Sequence, residues 1–152
     1  MTTPAKPVNM IRAVWRGDYR FDTGRVGGPL ARIDGNAETG QSPPDILLSA
    51  LAACSAIDVV DILAKRKTPV EQLEVEVVGE RRAEQPKRFL VVDLTFHVNG
   101  RGIERVHVER AVQLSLEKYC TVASSLARDL EVHTVVVLNN EPGERVRQEI
   151  GR

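Results

Sequence analysis

The sequence predicts an α+β fold, and three features predict it. Pro43 to Lys65 has the make-up of one long helix. Around it lie short segments whose apolar residues alternate, the period of half-buried strands. The links between them are short enough for neighbouring strands to pair antiparallel, which favours α+β over a doubly wound parallel sheet. The order along the chain is strands, long helix, two strands, a helix pair and a strand. No repeat or long linker divides the 152 residues, so a single domain is expected.

The helix dominates. Ser42 can accept a bond from the free first-turn N–H groups, and Pro43 and Pro44 stand where a missing N–H costs little. Asp45 places negative charge near the positive end of the dipole. From Ile46 to Ile57 every turn is apolar or small, which predicts a spine covered on all sides. Polar residues return with Asp58, Asp61 and Lys65-Arg66-Lys67, and Pro69 stops further helix.

The other elements follow in order. Met1 to Val8 is expected to be a loose lead-in. Asn9 to Arg16 alternates, with Ile11, Ala13 and Trp15 on one face; Gly17-Asp18 is a turn signal, and Tyr19 to Asp22 returns as a hairpin arm. Leu30 to Asp34 is a short strand, and Gly35 to Ser42 is a polar loop. Leu73, Val75 and Val77 alternate against Glu74 and Glu76. Pro86 marks a turn, and Leu90, Val92, Leu94, Phe96 and Val98 form the cleanest alternation, closed by Asn99-Gly100. Ile103 to Tyr119 has helical spacing, with Val108, Val112, Leu116 and Cys120 on one stripe. Thr121 to Leu130 continues as a second helical piece, Val132 to Leu138 is a last strand, and residues 140–152 are expected to be a charged, mobile tail.

Composition narrows the function classes. Hydrophobic content of 42% with 28% charged residues is that of a soluble globular protein. Lysine plus arginine and aspartate plus glutamate number 21 each, so no global field draws in nucleic acid or a membrane surface. Met1 to Pro7 lacks the apolar core of a signal peptide, and the run from Ile46 to Ile57 is too short to cross a bilayer. A cytoplasmic protein is expected. In a reducing compartment its two cysteines are either inert core thiols or a redox couple.

Cys54 sits in the middle of the long helix, sharing a face with Ala50, Leu51, Ile57 and Asp58. It lies too deep for the helix dipole to activate it. Burial and the Asp58 anion both disfavour a thiolate, so reactivity there needs a positive partner, an arginine from elsewhere in the chain. Otherwise Cys54 is a small core hydrophobe. Cys120 faces the same core. Helices packed about 8–10 Å apart could bring the thiols together, and a sulfenic acid on one would condense with the other. His97, His107 and His133 have no metal-ligand spacing and are expected to be solvated; no metal site and no phosphate loop is predicted. Asp58 and Asp61 are expected to pair with basic groups or water.

Ser42-Pro43-x-Asp45-Ile46-Leu47-Leu48-x-Ala50-Leu51-x-x-Cys54-x-Ala56-Ile57-Asp58-Val59-Val60, with Leu116-Glu117-Lys118-Tyr119-Cys120-Thr121-Val122, resembles the OsmC/Ohr family, with its nearest likeness in the YhfA-like branch. The likeness runs from Trp15-Arg16-Gly17 to Val137. It implies an intertwined homodimer whose sheets wrap two long central helices, with active sites at the subunit interface. It also implies reduction of organic hydroperoxides without a cofactor: Cys54 as peroxidatic thiolate, Cys120 as resolving thiol, and an external dithiol as reductant. The family's activating arginine resembles Arg32, with Arg20 the other candidate. Its glutamate position falls on Pro44. Asp45, the nearest acid, is one residue later, and one residue turns a helical side chain by about 100°.

Two further readings stand beside the peroxidase. One is a binding protein on the same scaffold, holding an apolar or thiol-containing small molecule without turnover, which the Pro44 substitution favours. The other is a structural or regulatory dimer with two inert thiols.

Overall fold

The computed structural model describes residues 1–151, and the chain folds as two compact units, Met1–Leu47 and Leu48–Arg152. In the first, β1 (Arg12–Trp15), β2 (Arg20–Gly24) and β3 (Ala31–Asp34) form an antiparallel meander. Its first turn needs two positive φ angles in succession, supplied by Gly17 (φ 94°) and Asp18 (φ 48°). Both residue types tolerate that region better than most. Trp15 Nε1 donates to the Asp18 carbonyl at 2.9 Å and fastens the turn.

The loop after β3 is gathered on one carboxylate. Asp34 is 1% exposed and accepts from the backbone N–H of Asn36 (2.9 Å), the N–H of Thr39 (3.0 Å) and the Thr39 hydroxyl (2.7 Å). Arg20 Nε lies 3.7 Å away. The Asn36 N–H first, then Thr39, stabilise the anion and hold its pKa down to about 2.

Helix α1 (Pro43–Lys65) begins at Ser42 with a reciprocal cap. Ser42 Oγ accepts the Asp45 N–H at 3.3 Å, and Asp45 Oδ2 accepts the Ser42 N–H at 3.2 Å. This is a capping box with aspartate in the glutamate position.

In the second unit α1 buries a single stripe, Leu51, Ser55, Val59 and Leu63, at four-residue steps. The sequence predicts cover on all sides. Instead Ile57 is 66% exposed and Val60 43%, because the elements of this chain cover one face only. The length-based exclusion of a membrane span also needs correction. An 18-residue window of α1 reaches a mean hydropathy of 2.1, sufficient by length and composition to cross a bilayer. Its buried stripe nevertheless lies at the centre of the core, as in a core helix.

Strands β4 (Gln72–Arg81) and β5 (Phe89–Asn99) pair antiparallel around the Pro86 turn. Val92, Leu94, Phe96 and Val98 are buried in the core, as their alternation predicts, whereas Leu90, first of the predicted row, lies near the start of the strand and is 37% exposed. Each such burial contributes about 1.5–3 kcal/mol. The chain then forms α2 (Arg105–Leu114), a π-helical turn (Ser115–Tyr119) and the short α3 (Thr121–Ser124), before β6 (Glu131–Leu138). Asn99-Gly100 therefore leads into a helix and closes no hairpin. The second helical piece also stops at Ser124, short of the predicted Leu130.

The strand β6 runs parallel to β5, where antiparallel pairing is expected from the sequence. The reason is the connection: a helical crossover returns the chain to the end of the sheet where β5 began. Part of the predicted tail is sheet as well. β7 (Glu141–Pro142) and β8 (Val146–Gln148) both pair with β6, and Arg145 binds Asp93 at 2.7 Å.

The depressed Asp34 pKa fixes a sign. Stability from its hydrogen bonds is complete above the unfolded aspartate pKa of about 4 and is lost as pH falls through about 2. Acid titration followed by Trp15 fluorescence should show the first unit loosening across that window. Asp34→Asn should be less stable at neutral pH and should lack that acid-dependent step.

Candidate functional site

The site is built where α1 meets the segment ending at Cys120. Cys54 sits beside the buried α1 stripe and is half-buried; Cys120 is 2% exposed. The two thiols are unbonded, and their sulfurs lie within hydrogen-bonding reach. Cys120 ends the π-turn: its N–H donates to the Ser115 carbonyl at 2.7 Å, five residues back. There the chain becomes extended (φ −72°, ψ 106°), and Cys120 Sγ accepts the Ala123 N–H at 3.3 Å as the cap of α3. The apolar stripe Val108, Val112, Leu116 is buried as predicted, but the helix does not run through Cys120.

The electrostatics of Cys120 are lopsided. Burial is the main influence and pushes its thiol pKa up to about 12, with the adjacent Cys54 sulfur adding to the rise and the Ala123 N–H opposing it. Cys120 is therefore a thiol, not a thiolate, throughout the physiological range.

One helical turn beyond Cys54, Asp58 Oδ2 accepts the Ser115 hydroxyl at 2.6 Å. Ser115 is fully buried. Asp58 thus has a hydroxyl partner where a basic group or water is expected. Asp61 does have a base, Lys65 Nζ at 2.8 Å.

The family-based activating candidates are placed as follows. Arg32 Nε donates to Asp22 Oδ1 at 2.7 Å, and Arg16 Nε binds the other oxygen of that carboxylate at 3.1 Å. The Arg32 hydrogen bond is the chief reason the Asp22 pKa falls below its ordinary value. Arg20 lies on Asp34, and Asp45 occupies the cap of α1. Both candidate arginines therefore have carboxylate partners within the three-stranded sheet.

A family model described as OsmC-like protein matches residues 35–135. The chain belongs to the OsmC-like family. It is 39% identical to Protein YhfA of Escherichia coli K12 over 122 residues, covering 80% of this chain and 91% of that protein. YhfA carries no specific function in its name. Among solved structures, a hypothetical protein from Aquifex aeolicus superposes with a TM-score of 0.80 at 25% identity, covering 88% of this chain and 98% of the other. The organic hydroperoxide resistance protein OsmC of Legionella pneumophila, at 16% identity, shares the fold with a TM-score of 0.61 over 88% and 98% of the two chains.

In this OsmC-like chain the histidines divide. His133 is 7% exposed, so it is not the solvated residue expected; its Nε2 lies 3.1 Å from Glu131 Oε1. His97 and His107 are half-buried where solvation is expected, with Glu76 and Glu104 beside them. Among the described residues no group of three His, Cys, Asp or Glu side chains is placed to hold a metal. Sequence reasoning missed Ser115 and the π-turn. A serine interrupting the buried stripe beside Leu116 is the one signal that pointed there.

The difference in burial, together with the raised pKa of Cys120, sets a labelling order. Iodoacetamide at neutral pH should alkylate Cys54 well before Cys120 in the folded protein, and both only after unfolding. Peptide mass spectrometry at timed intervals reads that order directly.

Proposed function

We propose that this protein reduces organic hydroperoxides with Cys54 as the peroxidatic thiolate and Cys120 as the resolving thiol. One observation carries the reading: two unbonded sulfurs, on separate helical segments, meet at the edge of an otherwise apolar core. The Cys54 thiolate attacks the peroxide oxygen, expels the alcohol and becomes a sulfenic acid. The Cys120 sulfur attacks Cys54, a disulfide forms and water leaves. An external dithiol restores both thiols, and no cofactor is needed. The name of the Legionella relative supports the substrate class.

In this proposal Arg32 supplies the fixed positive charge that a Cys54 thiolate needs. Asp22 engages the Nε edge of its guanidinium, and the Nη edge is the one such a role requires. Asp45 aids by fixing the start of α1. A homodimer in the cytoplasm, bound to neither membrane nor nucleic acid, completes the proposal. Its support is the uncovered side of α1, an open recess of about 570 Å³ lined by Ala53, Ile57, Val60 and Ala64. Ile57 and Val60, large apolar side chains left uncovered on one helix, favour a partner there.

A second reading is favoured by a specific observation. The glutamate position is Pro44, and the adjacent Asp45 carboxylate is committed to the helix cap. An unactivated Cys54 would leave a non-catalytic protein binding an apolar small molecule.

The test is reaction of the reduced protein with one equivalent of cumene hydroperoxide, followed by a thiol count and mass spectrometry. Rapid loss of both thiols with a Cys54–Cys120 link supports the peroxidase; thiols that survive excess peroxide select the binding protein. Cys54→Ser should abolish turnover, and Cys120→Ser should allow one oxidation but block efficient recycling. For the dimer, light scattering should give twice the chain mass, falling to one chain mass for Ile57→Asp.

A further inference from the structure

The Asp58–Ser115 hydrogen bond has no part in the cycle above, yet it joins the same two turns that the Cys54–Cys120 contact joins. Cys54 and Asp58 stand four residues apart on α1 and share a face. Ser115 and Cys120 stand five residues apart and are tied by the Cys120 N–H to Ser115 carbonyl bond. Running in opposite chain directions, Cys54 meets Cys120 and Asp58 meets Ser115.

An ordinary helix could not present that pair. At about 100° per residue, positions five apart diverge by about 140°, so one side chain would face α1 and the other would turn away. A turn closed by a five-residue hydrogen bond brings them to one side. The π-turn therefore matches the five-residue step on one segment to the four-residue step on α1. Its first residue is held by a hydroxyl-to-carboxylate bond of 2.6 Å, the length of a charge-assisted bond.

We infer that Asp58 and Ser115 are positioning residues: their bond anchors the π-turn and sets the approach of the Cys120 sulfur to Cys54. Their role is in disulfide closure and not in the first oxidation of Cys54. The inference rests on Cys54 and Cys120 forming a redox pair, but it does not require that peroxide be the oxidant.

Diamide separates the two questions, since it oxidises thiols without peroxidase chemistry. The Cys54 thiolate adds across the N=N bond and a proton completes the adduct. The Cys120 sulfur then displaces the nitrogen from Cys54, forming the S–S bond. Its thiol proton completes the hydrazine, so two thiols are oxidised as one azo group is reduced. The first step is measured by mass spectrometry of the Cys54 adduct in a Cys120→Ser background, the second by loss of the second thiol in proteins with both cysteines.

Ser115→Ala should leave adduct formation within about twofold and slow closure by about tenfold to a hundredfold, the upper figure being the scale of a misplacement of about 1 Å. Asp58→Ala should do the same. Asp58→Asn, which keeps an acceptor for the hydroxyl, should recover most of the closure rate. Closure at the parent rate in folded Ser115→Ala overturns the inference, as does equal slowing of both steps. A parent protein in which diamide forms no Cys54–Cys120 link overturns it as well. A parent that closes normally with diamide but ignores cumene hydroperoxide overturns only the peroxidase reading.

Discussion

The second unit depends on one constraint: α1 is apolar on nearly every side, and the elements of this chain cover only one of them. The stripe Leu51, Ser55, Val59 and Leu63 anchors a core shared with β5, α2 and β6. Even the polar member of that stripe is satisfied locally, because the Ser55 hydroxyl donates to the Leu51 carbonyl at 2.8 Å. Cys54 and Asp58 flank the stripe, so each is half-covered rather than sealed. That edge is where a group can both be held in place and be reached. A thiol in the stripe itself would share the fate of Cys120, which burial keeps protonated.

The asymmetry between the thiols gives the proposed cycle a direction. A sulfur that stays protonated does not compete for an oxidant, because the thiolate is the nucleophile. It acts only once its neighbour carries an oxygen, when a basic leaving group is beside it to take the proton. In the proposed cycle, burial of Cys120 would thus protect the resolving sulfur while the more accessible Cys54 met substrate. The Ala123 N–H, directed at the Cys120 sulfur, partly offsets the desolvation and fixes where that sulfur lies.

Much of this was legible in the residues. The bounds of α1 follow from Ser42, the two prolines and Lys65, and the alternation in β5 predicts its buried face from Val92 to Val98 but not at Leu90. The meander of β1 to β3 follows from its turn residues. Other features depended on information that local pattern does not carry. Parallel pairing of β6 is a property of the crossover. The strands β7 and β8 are too short and charged to show a period, and they exist because β6 offers them an open edge. The π-turn is hidden by a coincidence of spacing: Val108, Val112, Leu116 and Cys120 step by four, so an unbroken helix accounts for that whole stripe and leaves Ser115 unexplained.

The same limit applies to the candidate site. Motif resemblance picked out Cys54 and Cys120, and the fold brings them together. The resemblance includes Asp58 but could not pair it with Ser115, which lies outside the motif, because their spacing makes sense only against a turn of the wrong period for an α-helix. A strained or rare backbone element persists where surrounding contacts over-determine it. Here the Cys120 N–H, the Ser115 hydroxyl and the buried Leu116 side chain all constrain the same five residues. A regular helical turn could keep Leu116 inside, but it would direct Ser115 and Cys120 to different sides. The wider turn therefore sets where the second sulfur points, which in the proposed cycle serves chemistry more than packing.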